Sequence, residues 1–362
     1  MNSSINIRSF IFSAIVIFVS VVCIFFYETL KTETANSIRM CVYVIVPSLY
    51  GSMILACLIT KSRFHIIMGK IFSPLSRYVF KLTPELFSIF ILSNISGYPV
   101  GAKLLQNKEI RITDDEYNRC MCFCFSSGPA FIIATVALKL YNSVYTGLII
   151  FISVFFSNII LAFISGIGKP VPVSSHERAN VRLDSRIITE SINNASSGMM
   201  QMCIMIIAFA VFKIIIIETG ISRILSFTIA EYTSLSLNDS RSFILSLLEI
   251  SNITGFEQNN FNNIPVVAFL LSAGGICTFM QVIAISENRI NALKFFIYRI
   301  IGAFISYFTC SIIIRFFFSD LIVSASSFQI HSSQYSIFQS VILLIMTILL
   351  ISQKAIDKSN LK

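Results

Sequence analysis

The chain has 362 residues, of which 55% are apolar and only 12% charged, with a mean hydropathy of +0.81. A soluble domain carries about 25% charged residues. The composition therefore excludes an ordinary soluble protein and points to an all-α polytopic membrane protein, read as a single membrane domain over residues 1–362.

The first apolar run, residues 9–27, follows a single Arg8. It is long for the apolar core of a signal peptide and lacks a small-residue cleavage site, so it reads as a retained span. Further spans are predicted at 40–60, 120–139, 144–166, 197–217, 265–285, 295–317 and 335–353, about eight in all. Residues 64–81 place Lys70, Arg77 and Lys81 among Phe, Ile and Leu, which predicts an amphipathic segment at the membrane interface.

Residues 86–105, LFSIFILSNISGYPVGAKLL, are apolar enough to enter a bilayer, yet Gly97, Pro99 and Gly101 break their second half. A broken backbone is tolerated in hydrocarbon only where protein or a watery cavity takes its polar groups. This stretch is read as a re-entrant hairpin, and a second one is predicted at 243–262. With the N-terminus in the cytoplasm and each hairpin returning to its own side, most of the 27 basic residues become cytoplasmic, Arg119 and Arg299 among them, as does the C-terminus. Full crossing of both hairpins, or of the first alone, lowers that share. Lys213 and Arg315 lie near the outer ends of their spans and read as snorkelling residues. The net charge of +9 thus sets orientation, with no nucleic-acid partner implied.

Ser93-Asn94-Ile95-Ser96-Gly97 recurs as Ser251-Asn252-Ile253-Thr254-Gly255. Each copy follows an unbroken span and precedes one interrupted near its middle, at Ser126-Ser127-Gly128-Pro129 and at Ser272-Ala273-Gly274-Gly275. In the topology above the copies run in opposite directions, residues 40–166 forming a first repeat and 197–317 a second, inverted one. Inverted repeats with broken helices are the pattern of secondary transporters. Close helix packing through glycine is the alternative.

Cys120, Cys122 and Cys124 alternate and read, like the other cysteines, as small core residues. The three histidines are isolated. No disulfide framework, metal site or other cofactor is expected, and no nucleophile–base pair or phosphate-binding glycine loop points to an enzyme.

The stretches Ser96-Gly97-Tyr98-Pro99-Val100-Gly101-Ala102-Lys103 and Ser126-Ser127-Gly128-Pro129-Ala130-Phe131-Ile132-Ile133 resemble the sporulation integral membrane protein YlbJ family. So does Leu271-Ser272-Ala273-Gly274-Gly275 followed by Gln281-Val282. That family carries the nucleoside-recognition Gate domain shared with concentrative nucleoside transporters and ferrous-iron permeases, and the likeness covers roughly residues 40–300. The resemblance implies a protein of endospore-forming bacteria, in the mother-cell (outer forespore) membrane, that moves dipicolinic acid towards the spore. A nucleoside-type carrier and a non-transporting scaffold for spore-envelope assembly stay open, as do a homo-oligomer and partnership with other sporulation membrane proteins.

For a small anionic substrate, broken-helix N-termini supply partial positive charge. The candidate binding residues are Ser93, Asn94, Ser96, Gly97, Pro99, Gly101 and Lys103 in the first hairpin, with Ser126, Ser127 and Gly128 in the first broken span. Their counterparts are Ser251, Asn252, Thr254 and Gly255, with Ser272, Gly274 and Gly275. Glu249 sits in an apolar run where an ionised carboxylate is expensive, and is the candidate for ion coupling; Ile91 holds its place in the first copy. For each polar residue, closing its own hairpin is the competing role.

Overall fold

The computed structural model describes residues 7–107, 110, 112–172, 181–287 and 289–317, and among these every regular element is helical. The predicted span at 335–353 lies outside the described residues. Five helices are long and apolar enough to cross a membrane: Tyr27–Lys61, Val144–Gly166, Ser185–Glu218, Phe261–Ile285 and Ala292–Phe316.

Helix α1 (Ile7–Phe25) leads into α2 (Tyr27–Lys61). The predicted loop at 28–39 is helical instead, because ETLKTETANSIR contains no Gly or Pro and runs unbroken into the apolar stretch behind it. Pro47 lies in the second half of this helix, and a π turn at Cys41–Ile45 takes up the disturbance its ring causes to the carbonyl four residues earlier. Short helix α3 (Phe64–Ile71) and a π turn at Leu75–Val79 occupy the stretch 64–81. The first hairpin follows as α4 (Pro84–Ser96) and α5 (Val100–Leu105).

The predicted span 120–139 is not one helix. Helix α6 (Asp114–Met121), N-capped by a Thr113–Glu116 capping box, stops at Cys122, and α7 (Phe131–Tyr141) begins only after Pro129. Residues 125–128 are non-helical, Pro129 opens the next helical turn, and each piece is too short to cross alone. Then come α8 (Val144–Gly166) and α9 (Ser185–Glu218). The amphipathic α10 (Ile221–Tyr232) follows, and the second hairpin starts as α11 (Leu237–Leu248) and returns through 3-10 turns at Ile250–Gly255 and Phe261–Asn263. Finally α12 (Ile264–Ala273) and α13 (Ile276–Ile285) are separated by Gly274-Gly275, and α14 (Ala292–Phe317) closes the described chain.

Helices α2 and α9 lie antiparallel and are tied at both ends. Lys61 Nζ meets Glu190 Oε2 at 2.9 Å, and Lys213 Nζ meets Glu33 Oε2 at 2.6 Å. Along α9 the two pairs stand about 35 Å apart at 1.5 Å per residue. That length falls between the hydrocarbon core of a bilayer, about 30 Å, and its full thickness of about 40–45 Å.

The hairpins lie at opposite ends of this pair of helices. Gly69 abuts the carbonyl of Pro84, where the first hairpin starts, close behind Lys61. Its tip reaches Ser52, whose carbonyl accepts from Ser96 Oγ at 3.2 Å. The second hairpin meets the other end, where Glu249, Ser251 and Asn252 share a cavity wall with Glu33 and Lys213. The order of long helix, short amphipathic helix, hairpin, broken helix and unbroken helix occurs once from α2 to α8 and again from α9 to α14.

Candidate functional site

The breaks converge on a single crossing. Gly97 ends α4 with φ 81° and ψ 171°, and Gly274 ends α12 with φ 70° and ψ 163°, a region open in practice to glycine alone. A Cβ on Gly97 would stand 2.8 Å from the Gly128 nitrogen, so the first hairpin and the first break touch backbone to backbone. Consecutive glycines then face different partners: Gly274 receives the Phe125 ring, and Gly275 receives the backbone of Leu248, Glu249 and Ile250. Gly101 lies against the carbonyl of Cys124, and Pro99 precedes α5 after a cis Tyr98–Pro99 peptide.

Polar side chains lock this crossing. Ser127 Oγ donates to the Leu271 carbonyl at 3.0 Å and lies 2.7 Å from the Tyr98 hydroxyl, which donates to it. The Tyr98 amide donates to the Ser126 carbonyl at 2.7 Å. Asn158 Nδ2 donates to Asn94 Oδ1 at 2.8 Å, and Asn94 Nδ2 to the Phe90 carbonyl at 2.8 Å. Ser93 Oγ donates to the Phe90 carbonyl, Ser126 Oγ to that of Ser127, and Ser157 and Ser272 share a 3.3 Å contact. The predicted binding residues of the first hairpin, the first break and Ser272 are therefore brought together, and each serine and asparagine among them is bonded to protein.

Lys103, half-buried, lies apart from these bonds. Its Nζ donates to the Asn194 carbonyl at 2.5 Å, in a space that Gly198 leaves open on α9.

The second hairpin borders open space. A cavity of about 90 Å³ is walled by Glu33, Asn36 and Ser37 of α2, by Phe209 and Lys213 of α9, and by Glu249, Ser251 and Asn252. Glu249, 8% exposed, accepts from the Ser251 amide at 2.9 Å, from Ser251 Oγ and from Asn252 Nδ2 at 3.4 Å. Thr254 Oγ1 turns to the Ser251 carbonyl, and the Gly255 carbonyl accepts from Ser242 Oγ. Lys213 pairs with Glu33 and forms part of the cavity wall.

Two arginines read as cytoplasmic orientation charges are buried. Arg119 donates to the carbonyls of Lys81, at 2.7 Å, and Phe80. Arg299, 2% exposed, donates to the Phe125 carbonyl at 2.7 Å, to the Cys122 carbonyl and to Asn158 Oδ1 at 3.2 Å. Helical carbonyls freed at a break carry partial negative charge, and a guanidinium fork suits them. Sequence reading also passed over Asp239. Its carboxylate accepts from the Glu257 amide at 2.8 Å and from Asn263 Nδ2 at 2.5 Å, which explains why the loop Glu257-Gln258-Asn259-Asn260 is so polar. A lone amide, Asn158, inside the apolar run 144–166 was a sequence signal for its own place at the crossing that went unread.

Comparison with family models, curated proteins and solved structures gives no match for this chain.

Proposed function

We propose that this chain is an integral membrane carrier of a small anionic metabolite, built as an inverted repeat of residues 40–166 and 197–317 with two re-entrant hairpins. The observation that carries the reading is the convergence of both hairpins and both helix breaks on Gly274 and Gly275. Broken helices meeting between two halves are where secondary transporters place their substrate, and a broken backbone at that depth needs a protein or aqueous lining. The recurrence of the element order from α9 onward, with the hairpins at opposite ends of the α2–α9 pair, supports the inverted arrangement.

The end marked by Lys61 also gathers Arg63, Lys70, Arg77, Lys81, Lys169, Arg182 and Arg186, so it is assigned to the cytoplasm, together with both termini. Glu249, facing the cavity at the other end, is assigned to ion coupling. Dipicolinic acid, the substrate implied by the YlbJ-family resemblance, is the proposed cargo, and the mother-cell membrane around the developing spore the proposed location.

Purified protein in liposomes should accumulate labelled dipicolinate under an imposed proton or sodium gradient. Failure under every gradient, with folded protein confirmed by a monodisperse elution profile, overturns the proposal. A panel of nucleosides as competitors separates this cargo from a nucleoside-type one.

A further inference from the structure

Arg299 is a full positive charge in the interior of the bundle, and its recorded partners are all neutral oxygens. Two are the Phe125 and Cys122 carbonyls and the third is the side-chain amide of Asn158. Its Nε is buried and has no hydrogen-bond partner among the described residues. The guanidinium carbon stands 5.2 Å from the centre of the Phe125 ring, and that ring stacks on Tyr98 at 4.7 Å. Gly302, one turn on, packs closely here: an added Cβ would lie 2.9 Å from Leu161 Cδ1 and 3.6 Å from both Arg299 Nη2 and Ser272 Oγ.

Carbonyl dipoles offset part of the desolvation of a buried guanidinium, but a buried ion without a counter-ion still costs several kcal/mol. The fork matches a carboxylate in two parallel hydrogen bonds, a stronger arrangement than single bonds to neutral carbonyls. Arg299, itself on α14 in the second half, touches the first break through Phe125 and Cys122 and α8 through Asn158. It is a charged group at the crossing that joins elements of both halves.

We propose that Arg299 is the substrate-binding cation of this protein: it takes a carboxylate of the transported anion in exchange for the carbonyls of the first break. The inference rests on the anion-carrier reading and names the residue through which that reading acts. Ionised carboxylates are the ligand class, and a flat one is favoured by the Tyr98–Phe125 stack beside the guanidinium.

The test follows the thermal unfolding of the full chain in detergent during titration with dipicolinate, with neutral pyridine as control. The wild-type midpoint should rise saturably with dipicolinate and stay fixed with pyridine. Arg299→Gln should weaken the response by about tenfold or more, the factor that 1.4 kcal/mol of lost interaction gives, and Arg299→Lys should fall between the two. Asn158→Asp sets a carboxylate against the guanidinium from inside, the Asn94 amide turning to donate to it, and should abolish the response. That variant decides the matter if Arg299→Gln does not fold. A wild-type response in Arg299→Gln or Asn158→Asp overturns the role of Arg299 while leaving the carrier reading in place. No response of the wild type to dipicolinate or to a panel of other carboxylates overturns both.

Discussion

Lys213 on α9 and Glu33 on α2 form a 2.6 Å ion pair in the wall of the cavity that Glu249 also lines. The cavity thus holds two carboxylates and one lysine. Lys213→Gln leaves both carboxylates facing the space without a cation. The expected loss is about 1–3 kcal/mol, below the 3–5 of a fully buried pair because each side chain stays 22% exposed. Thermal unfolding measures it, and Glu33→Gln added to Lys213→Gln should restore part of the loss.

Glu249→Gln keeps the size of the side chain and an acceptor for the Ser251 amide, while removing the charge. Protein level and elution profile should match wild type, with gradient-driven uptake lowered about tenfold or more, equivalent to at least 1.4 kcal/mol at the coupling step. Asn94→Ala should behave in the opposite order. It removes the acceptor of Asn158 Nδ2 within a closed network, at about 1–3 kcal/mol, so folded yield falls before transport per molecule does.

Gly97→Ala places a Cβ 2.8 Å from the Gly128 nitrogen and forces a positive φ on alanine. The backbone conformation alone costs about 1–3 kcal/mol, and the contact adds to it. Gly51→Ala is the matched control. It lies inside α2 with nothing within 4 Å of the added carbon, and should gain up to about 1 kcal/mol of helix propensity. Unfolding midpoints that fell equally in both variants would refute the crossing geometry.

His65, on the short helix α3, is buried, and its Nδ1 has no hydrogen-bond partner among the described residues. Burial pushes its pKa below the ordinary value, against the opposing pull of the Ile59 and Thr60 carbonyls. The unfolded chain therefore binds the proton more readily. The contribution of His65 is complete above about pH 6.5 and is lost as pH falls below it. The wild-type midpoint should drop more steeply than that of His65→Gln between pH 7.5 and pH 5.

Much of the fold was legible because apolar run length and Gly–Pro punctuation are local signals. The break at Gly97, the interruption at Gly128-Pro129 and the one at Gly274-Gly275 all appear where the residues demand them. Helix continuity across 28–39 was not legible as a feature of the span, because polar composition there resembles a loop while propensity favours helix, and propensity prevailed. Charge counting failed at Arg119 and Arg299 for a different reason. The rule treats basic residues near span ends as solvent-facing, whereas here carbonyls exposed by broken helices draw them inward. The cavity wall depends on which ends of α2 and α9 meet, a long-range fact with no sequence period. Glu33 and Lys213 consequently looked unrelated.

The two ion pairs that fasten α2 to α9 have a mechanical consequence. Neither helix can slide along the other without parting a pair at each end, so together they behave as one fixed post, a stator about as tall as the membrane. Each hairpin meets that post near one end only, the first at Ser52 and Asn194 and the second beside Met40 and Phe209. On the carrier reading proposed above, the post would stand still and the hairpins would be two doors hung on the same jamb, one at either end.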